Sequence, residues 1–168
     1  MFRIITALLL LLSIPAAADT VELFRAKLSW SPPPGFSVLS ADEIAAKFPR
    51  QNAPQHVYGN ANRSVTVAFT HSSSAVTEAQ LPELQAFLAA SLGSKAERWI
   101  GKDMLTLNGR RWFRLCFVSQ ALDTTVRNEI LGASLEGRAL LVNFNATEKD
   151  YETFQKALER SKASLTIR

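Results

Sequence analysis

The chain has 168 residues, 47% of them hydrophobic, and its 19 lysines and arginines against 15 acidic residues give a net charge of +4. That length and apolar content suffice for one domain with a real core. The positive excess is too small and too scattered to indicate nucleic acid, and a single cysteine, Cys116, excludes an internal disulfide.

Residues 1–18 read as a secretory signal peptide. Arg3 precedes an apolar run from Ile4 to Leu12, too short to cross a bilayer, and Pro15 and Ala16-Ala17-Ala18 follow, so cleavage is expected after Ala18. Pro15 and the small residues behind it argue against an uncleaved anchor, and no cysteine near the cut argues for a lipoprotein. The short leader with its single arginine points to the bacterial periplasm. Removing 18 of 168 residues leaves 19–168, a single domain with no transmembrane segment after cleavage. In an oxidising compartment it must hold together by packing, with Cys116 a buried, inert thiol.

From Asp19 to Trp30 the pattern fits a strand or an irregular arm, and Pro32-Pro33-Pro34-Gly35 breaks it. Phe36 to Leu39 reads as a short strand. Ser40-Ala-Asp-Glu43 is a capping box, so a helix of about two turns should follow and stop before Pro49. Gln51 to Asn62 is a polar loop with a strand at Val57-Tyr58. Arg63 to Thr70 alternates Val65, Val67 and Phe69 against Ser64, Thr66 and Ala68, as a strand with one apolar face does. Thr77-Glu-Ala-Gln80 resembles a second cap, and Leu81, Leu84, Phe87, Leu88 and Leu92 recur at helical spacing up to Gly93. Pro82 conflicts with a helix starting at Thr77, so either the first turn is separate or the helix starts near Pro82.

Met104 to Asn145 reads as successive antiparallel strands. Asn108-Gly109 suits a type I′ hairpin turn because both residues tolerate positive φ. On the strand that follows, Trp112, Arg114, Cys116 and Val118 face one way and Phe113, Leu115 and Phe117 the other; both sets are apolar enough to be covered. Thr124 to Leu135 alternates Val126, Asn128 and Ile130 against Thr125, Arg127, Glu129 and Leu131, and this second set is expected to be wet. Leu122-Asp123 and Glu136-Gly137 supply turns. Ala139 to Phe144 is an almost unbroken apolar run suited to the middle of a sheet. Thr147 caps a closing helix buried through Tyr151, Phe154, Ala157 and Leu158, and Ser164 to Arg168 is a tail or a last edge strand.

Helices before and after a meander give an α+β class: a mainly antiparallel sheet of about six strands packed by two or three helices. That order, the Pro34-Gly35-Phe36 entry and the ending Tyr151, Phe154, Leu158, Ser164-Leu165-Thr166-Ile167 resemble the PsbP-like superfamily of PsbP subunits and DcrB-like periplasmic proteins. The resemblance implies an α/β/α sandwich and a non-enzymatic module that binds another protein, and it carries over no catalytic set.

The residues themselves offer little chemistry. His56 and His71 have no Asp, Glu or Cys at ligand spacing, so no metal or cofactor is expected. Ser72 to Ser74 beside His71 lack a nucleophile elbow, and Asp42, Glu43, Glu148 and Asp150 stand where helix caps need them. An exported, non-enzymatic binding protein is the first expectation, and an immunity protein against a toxin delivered to the periplasm, or a small hydrolase, are the alternatives. If the sheet face is uncovered, Trp112, Arg114, Arg127 and Glu129 are its candidate contact residues, since aromatic and arginine side chains anchor interfaces; burial of Trp112 would remove this patch.

Overall fold

A computed structural model describes residues 19–48, 53–121 and 124–168; the leader expected at residues 1–18, residues 49–52 and the turn expected at Leu122-Asp123 lie outside them. Among the described residues ten strands form two sheets. The large sheet has seven strands in the order β3-β4-β5-β9-β8-β7-β6, and every pairing in it is antiparallel. Its members are β3 (Ser37–Val38), β4 (His56–Gly59), β5 (Val65–Ala75), β6 (Arg98–Leu107), β7 (Arg110–Gln120), β8 (Thr125–Leu135) and β9 (Arg138–Thr147). Chain-terminal segments make the small sheet, in which β2 (Leu28–Trp30) pairs with both β1 (Val21–Leu23) and β10 (Thr166–Ile167).

Two of the turns expected from sequence close hairpins of the meander. Asn108 (φ 47°) and Gly109 (φ 77°) join β6 to β7, and Glu136 (φ 51°) and Gly137 (φ 71°) join β8 to β9, the positive φ pairs that two-residue hairpins require. The apolar run Ala139 to Phe144 forms most of β9, the middle strand.

Helix α1 (Ala41–Lys47) starts at a full capping box: Glu43 N–H donates to the Ser40 hydroxyl and Ser40 N–H to the Glu43 carboxylate. Both alternatives at Pro82 hold at once. A separate 3₁₀ turn, Glu78–Gln80, precedes α2 (Leu81–Leu92), so proline falls in the first helical turn, where its missing N–H costs least. Helix α3 (Glu148–Ala163) is capped by Thr147.

The helices and the small sheet make three layers. One face of the large sheet is covered by α3 and the small sheet over a continuous core that includes Trp30, Phe69, Trp112, Leu131, Phe144 and Leu158. The opposite face carries two separate patches. Leu81, Leu84, Leu88 and Leu92 of α2 pack on Phe113, Leu115 and Ala139, while Ile44 and Phe48 pack on Leu39, Val57 and Ala68. Phe87, expected on the buried stripe of α2, is instead 67% exposed.

Candidate partner-binding site

The four residues singled out from sequence lie on the α3 face, and they do not form an exposed surface. Trp112 is fully buried. Beside it the Arg114 Nε donates to Glu129 Oε1 at 2.6 Å, and the Lys162 Nζ of α3 donates to the same oxygen at 2.8 Å. Asp103 takes the other arm of Arg114 at 2.9 Å, and Glu159 takes Lys162. Arg127 stacks its guanidinium 4.0 Å from the centre of the Tyr151 ring. Burial pushes the Glu129 carboxyl up, but Lys162 and Arg114 outweigh it and hold it below the ordinary value. The alternation was right and the side was wrong: charged residues on an alternating strand look solvated, but here they have partners on a helix that must bury Tyr151, Phe154 and Leu158 somewhere.

The histidines share one aromatic neighbour. Phe24, Arg25 and Ala26, between β1 and β2, all have positive φ (51°, 57° and 62°), one turn of left-handed backbone. It sets the Phe24 ring edge-on to both His56 and His71, 5.2 and 5.4 Å away between ring centres. His71 Nε2 also lies 3.0 Å from the Leu135 carbonyl oxygen. Among the described residues no group of three or more His, Cys, Asp or Glu could hold a metal ion. The Ser72 hydroxyl accepts from the Ser74 amide, and Glu43 pairs with Arg63 at 2.8 Å.

On the other face, between the patches under α1 and α2, the central strands stay half-open. Asn128 of β8 stands directly opposite Asn145 of β9, with Thr66 of β5 beyond it, and Asn143 follows two residues along β9 between Ile130 and Ala68. All three asparagines are half-buried. The result is an amide-lined lane two strands, or about 10 Å, across. Aromatic Phe117, with Trp99 against it at 5.2 Å, stands on the α2 side of Asn128. Asn128 Nδ2 donates to the Ser119 hydroxyl at 2.9 Å and to the Val126 carbonyl oxygen at 3.0 Å, so what this side chain presents outward is its acceptor oxygen. Asn143 Oδ1 is inaccessible and has no hydrogen-bond partner. Asparagine is depleted from strands, so three on one face of the two central ones was a signal in the sequence. It was hidden because Asn128 sat among apolar neighbours and Asn143 inside an apolar run.

No family model and no curated protein matches this chain. Solved structures do match. Cyanobacterial PsbP (CyanoP) from Synechocystis sp. PCC 6803 superimposes with a TM-score of 0.60 at 10% identity, over 94% of this chain and 99% of that one. LpqN, involved in cell envelope biogenesis of Mycobacterium tuberculosis, gives 0.59 at 15% identity and 89% of each chain. The fold is PsbP-like. The Saccharomyces cerevisiae Ran-binding protein Mog1p is similar too, with a TM-score of 0.56 at 15% identity over 89% of this chain and 94% of that one. At these identities the PsbP-like likeness speaks for the architecture and leaves function to the site.

Proposed function

We propose that this PsbP-like chain is an exported, non-enzymatic binding protein that engages a protein partner along the amide lane between α1 and α2. The observation that carries the proposal is the half-open row of Asn128, Asn143 and Asn145 on the two central strands. Side-chain amides present polar atoms on a rigid surface, the Asn128 oxygen as an acceptor, which suits pairing with a partner's polar groups. The Ran-binding activity of Mog1p shows that this architecture can serve protein recognition, and the leader pattern at residues 1–18 supports export.

Position-specific photocrosslinking tests the lane. A benzophenone side chain placed at Asn128 in cells of the source organism should give one discrete adduct, and the same probe at Gln155 on the exposed face of α3 should not. Asn145→Trp, which fills the lane, should abolish the Asn128 adduct. Adducts at Gln155 alone, or an Asn128 adduct indifferent to Asn145→Trp, would remove the lane as the contact surface.

A further inference from the structure

At the end of the sheet where β4 turns into β5, the surface holds an open cleft of about 410 Å³. Pro34 and Gly35, the Asn60-Ala61-Asn62 turn, and Asp150 and Phe154 from the start of α3 line it. Three stretches distinctive in the sequence meet here: the Pro-Gly entry, the polar turn and the acidic cap of α3. Phe154 is braced edge-on by Phe36, with ring centres 5.8 Å apart, which gives the cleft a fixed apolar wall.

Its charge is one-sided. Among the described residues of the lining, Asp150 is the only ionisable one. The Ser64 side chain nearby and the Thr147 hydroxyl, which donates to Oδ2 at 2.9 Å, hold its carboxyl below the ordinary value, so it is ionised at neutral pH. The Thr147 bond uses only part of the roughly four acceptor positions of a carboxylate. Arg63, the base nearest this turn in sequence, is already committed: it donates to Glu43, Ser37 and the carbonyls of Gly59 and Asn60.

An aromatic wall, a proline edge and a carboxylate that makes no ion pair among the described residues, although Lys149 and the α3 N-terminus stand near it, suit a cation at the end of an aliphatic stem. We propose that this cleft receives an arginine or lysine side chain of the partner protein, with its stem along Phe154 and Pro34 and its head on the Asp150 carboxylate. The proposal rests on the chain being a protein-binding module. It does not depend on the amide lane, although β9 links the two: Asn145 lies two residues before Thr147, the cap of the helix that carries Asp150.

The test is an NMR titration of the mature chain with Nα-acetyl-arginine N-methylamide and, in parallel, with its neutral citrulline counterpart. Saturable shifts are expected at Gly35, Ala61, Asn62 and Phe154, with the citrulline compound about two- to fivefold weaker, the range of a part-exposed ion pair. Asp150→Asn should bring the arginine compound down to the citrulline level. Because that substitution also touches the α3 cap, Asn62→Asp provides a second arm that leaves the cap intact and should tighten arginine binding by a similar factor. Equal affinity for the two compounds, shifts confined to other parts of the surface, or indifference to Asn62→Asp would overturn the proposal. Loss of the Asn128 crosslink with an intact arginine response would sink the lane and leave the cleft standing.

Discussion

The two faces of the seven-stranded sheet are built from the same strands and have opposite designs. Under α3 and the small sheet lies one unbroken core, and Glu129 within it is only 8% exposed with two cations on one oxygen, Arg114 from the neighbouring strand and Lys162 from α3, while Arg127 stacks on Tyr151. Under α1 and α2 lie two small apolar patches, and the strip between them is left to amides. A sheet with one apolar face sealed by a long helix has enough buried area to be stable. The second face is then free to keep polar groups half-exposed. The contrast makes stability a property of the α3 side and recognition a property of the other, and it can be broken by substitution.

The largest expected effect is at Glu129. Glu129→Ala strands Arg114 and Lys162 without their shared partner, and removal of one member of a buried ion network costs about 3–5 kcal/mol. Replacing Arg114, Glu129 and Lys162 together by methionine, leucine and methionine should cost less than Glu129→Ala alone, because no uncompensated charge remains. Urea unfolding of both variants checks this. A cost below about 1 kcal/mol for Glu129→Ala would match an exposed pair and show that α3 does not seal this face.

Next comes the closest packing on the α2 side. The Phe113 ring occupies the place where a side chain at Gly132 would stand, on the strand beside it. Gly132→Ala should therefore cost about 1–3 kcal/mol by overpacking and displace the ring, which aromatic shifts would show. A silent Gly132→Ala would mean that the patch under α2 is loose, and the difference between the faces would grow.

Acid should act in two windows. Burial pulls the His56 imidazole below its ordinary 6.5, so the unfolded chain takes up that proton first and stability starts to fall as pH drops below 6.5, ceasing to change once pH is under the folded value. The Glu129 carboxyl is depressed, so its contribution is complete above the ordinary 4.5 and is lost as pH falls from there through the lower folded value. The urea midpoint measured from pH 7 to pH 3 should show both declines. His56→Gln should erase the upper one, and Glu129→Gln should shrink the lower, to which the Glu43 and Asp150 carboxyls, also held below their ordinary values, contribute the rest.

Much of this was legible in the chain. The Asn108-Gly109 and Glu136-Gly137 turns, the capping box at Ser40 and the central apolar run Ala139 to Phe144 each rest on local chemistry, and local chemistry is what sequence states directly. The side of the sheet that α3 would choose was not legible, because alternation gives two faces and no label. Arg127 and Glu129 suggested water, whereas Tyr151 and Lys162, some 24 and 33 residues further on, supply their partners. Phe87 was misplaced for a related reason: α2 is apolar nearly all round, so spacing alone could not say which residues turn outward. The left-handed turn Phe24 to Ala26 has no glycine or asparagine to announce it.

The smallest effect is the most informative about the open face. Asn143 Oδ1 is inaccessible and unpaired, and such a group subtracts from stability instead of adding to it. Asn143→Val gives the middle strand a β-branched residue and removes that orphan, so the chain should gain about 1 kcal/mol or lose nothing in urea unfolding. The same substitution should weaken the Asn128 crosslink to the partner, since a site kept polar at some expense of stability loses function when it is made apolar. Stabilisation with the crosslink unchanged would make Asn143 a bystander. A loss of more than about 1 kcal/mol would show that the amide is structural, tied into the sheet by a bond that forms in solution, and the division of labour between the two faces would then fail at its centre.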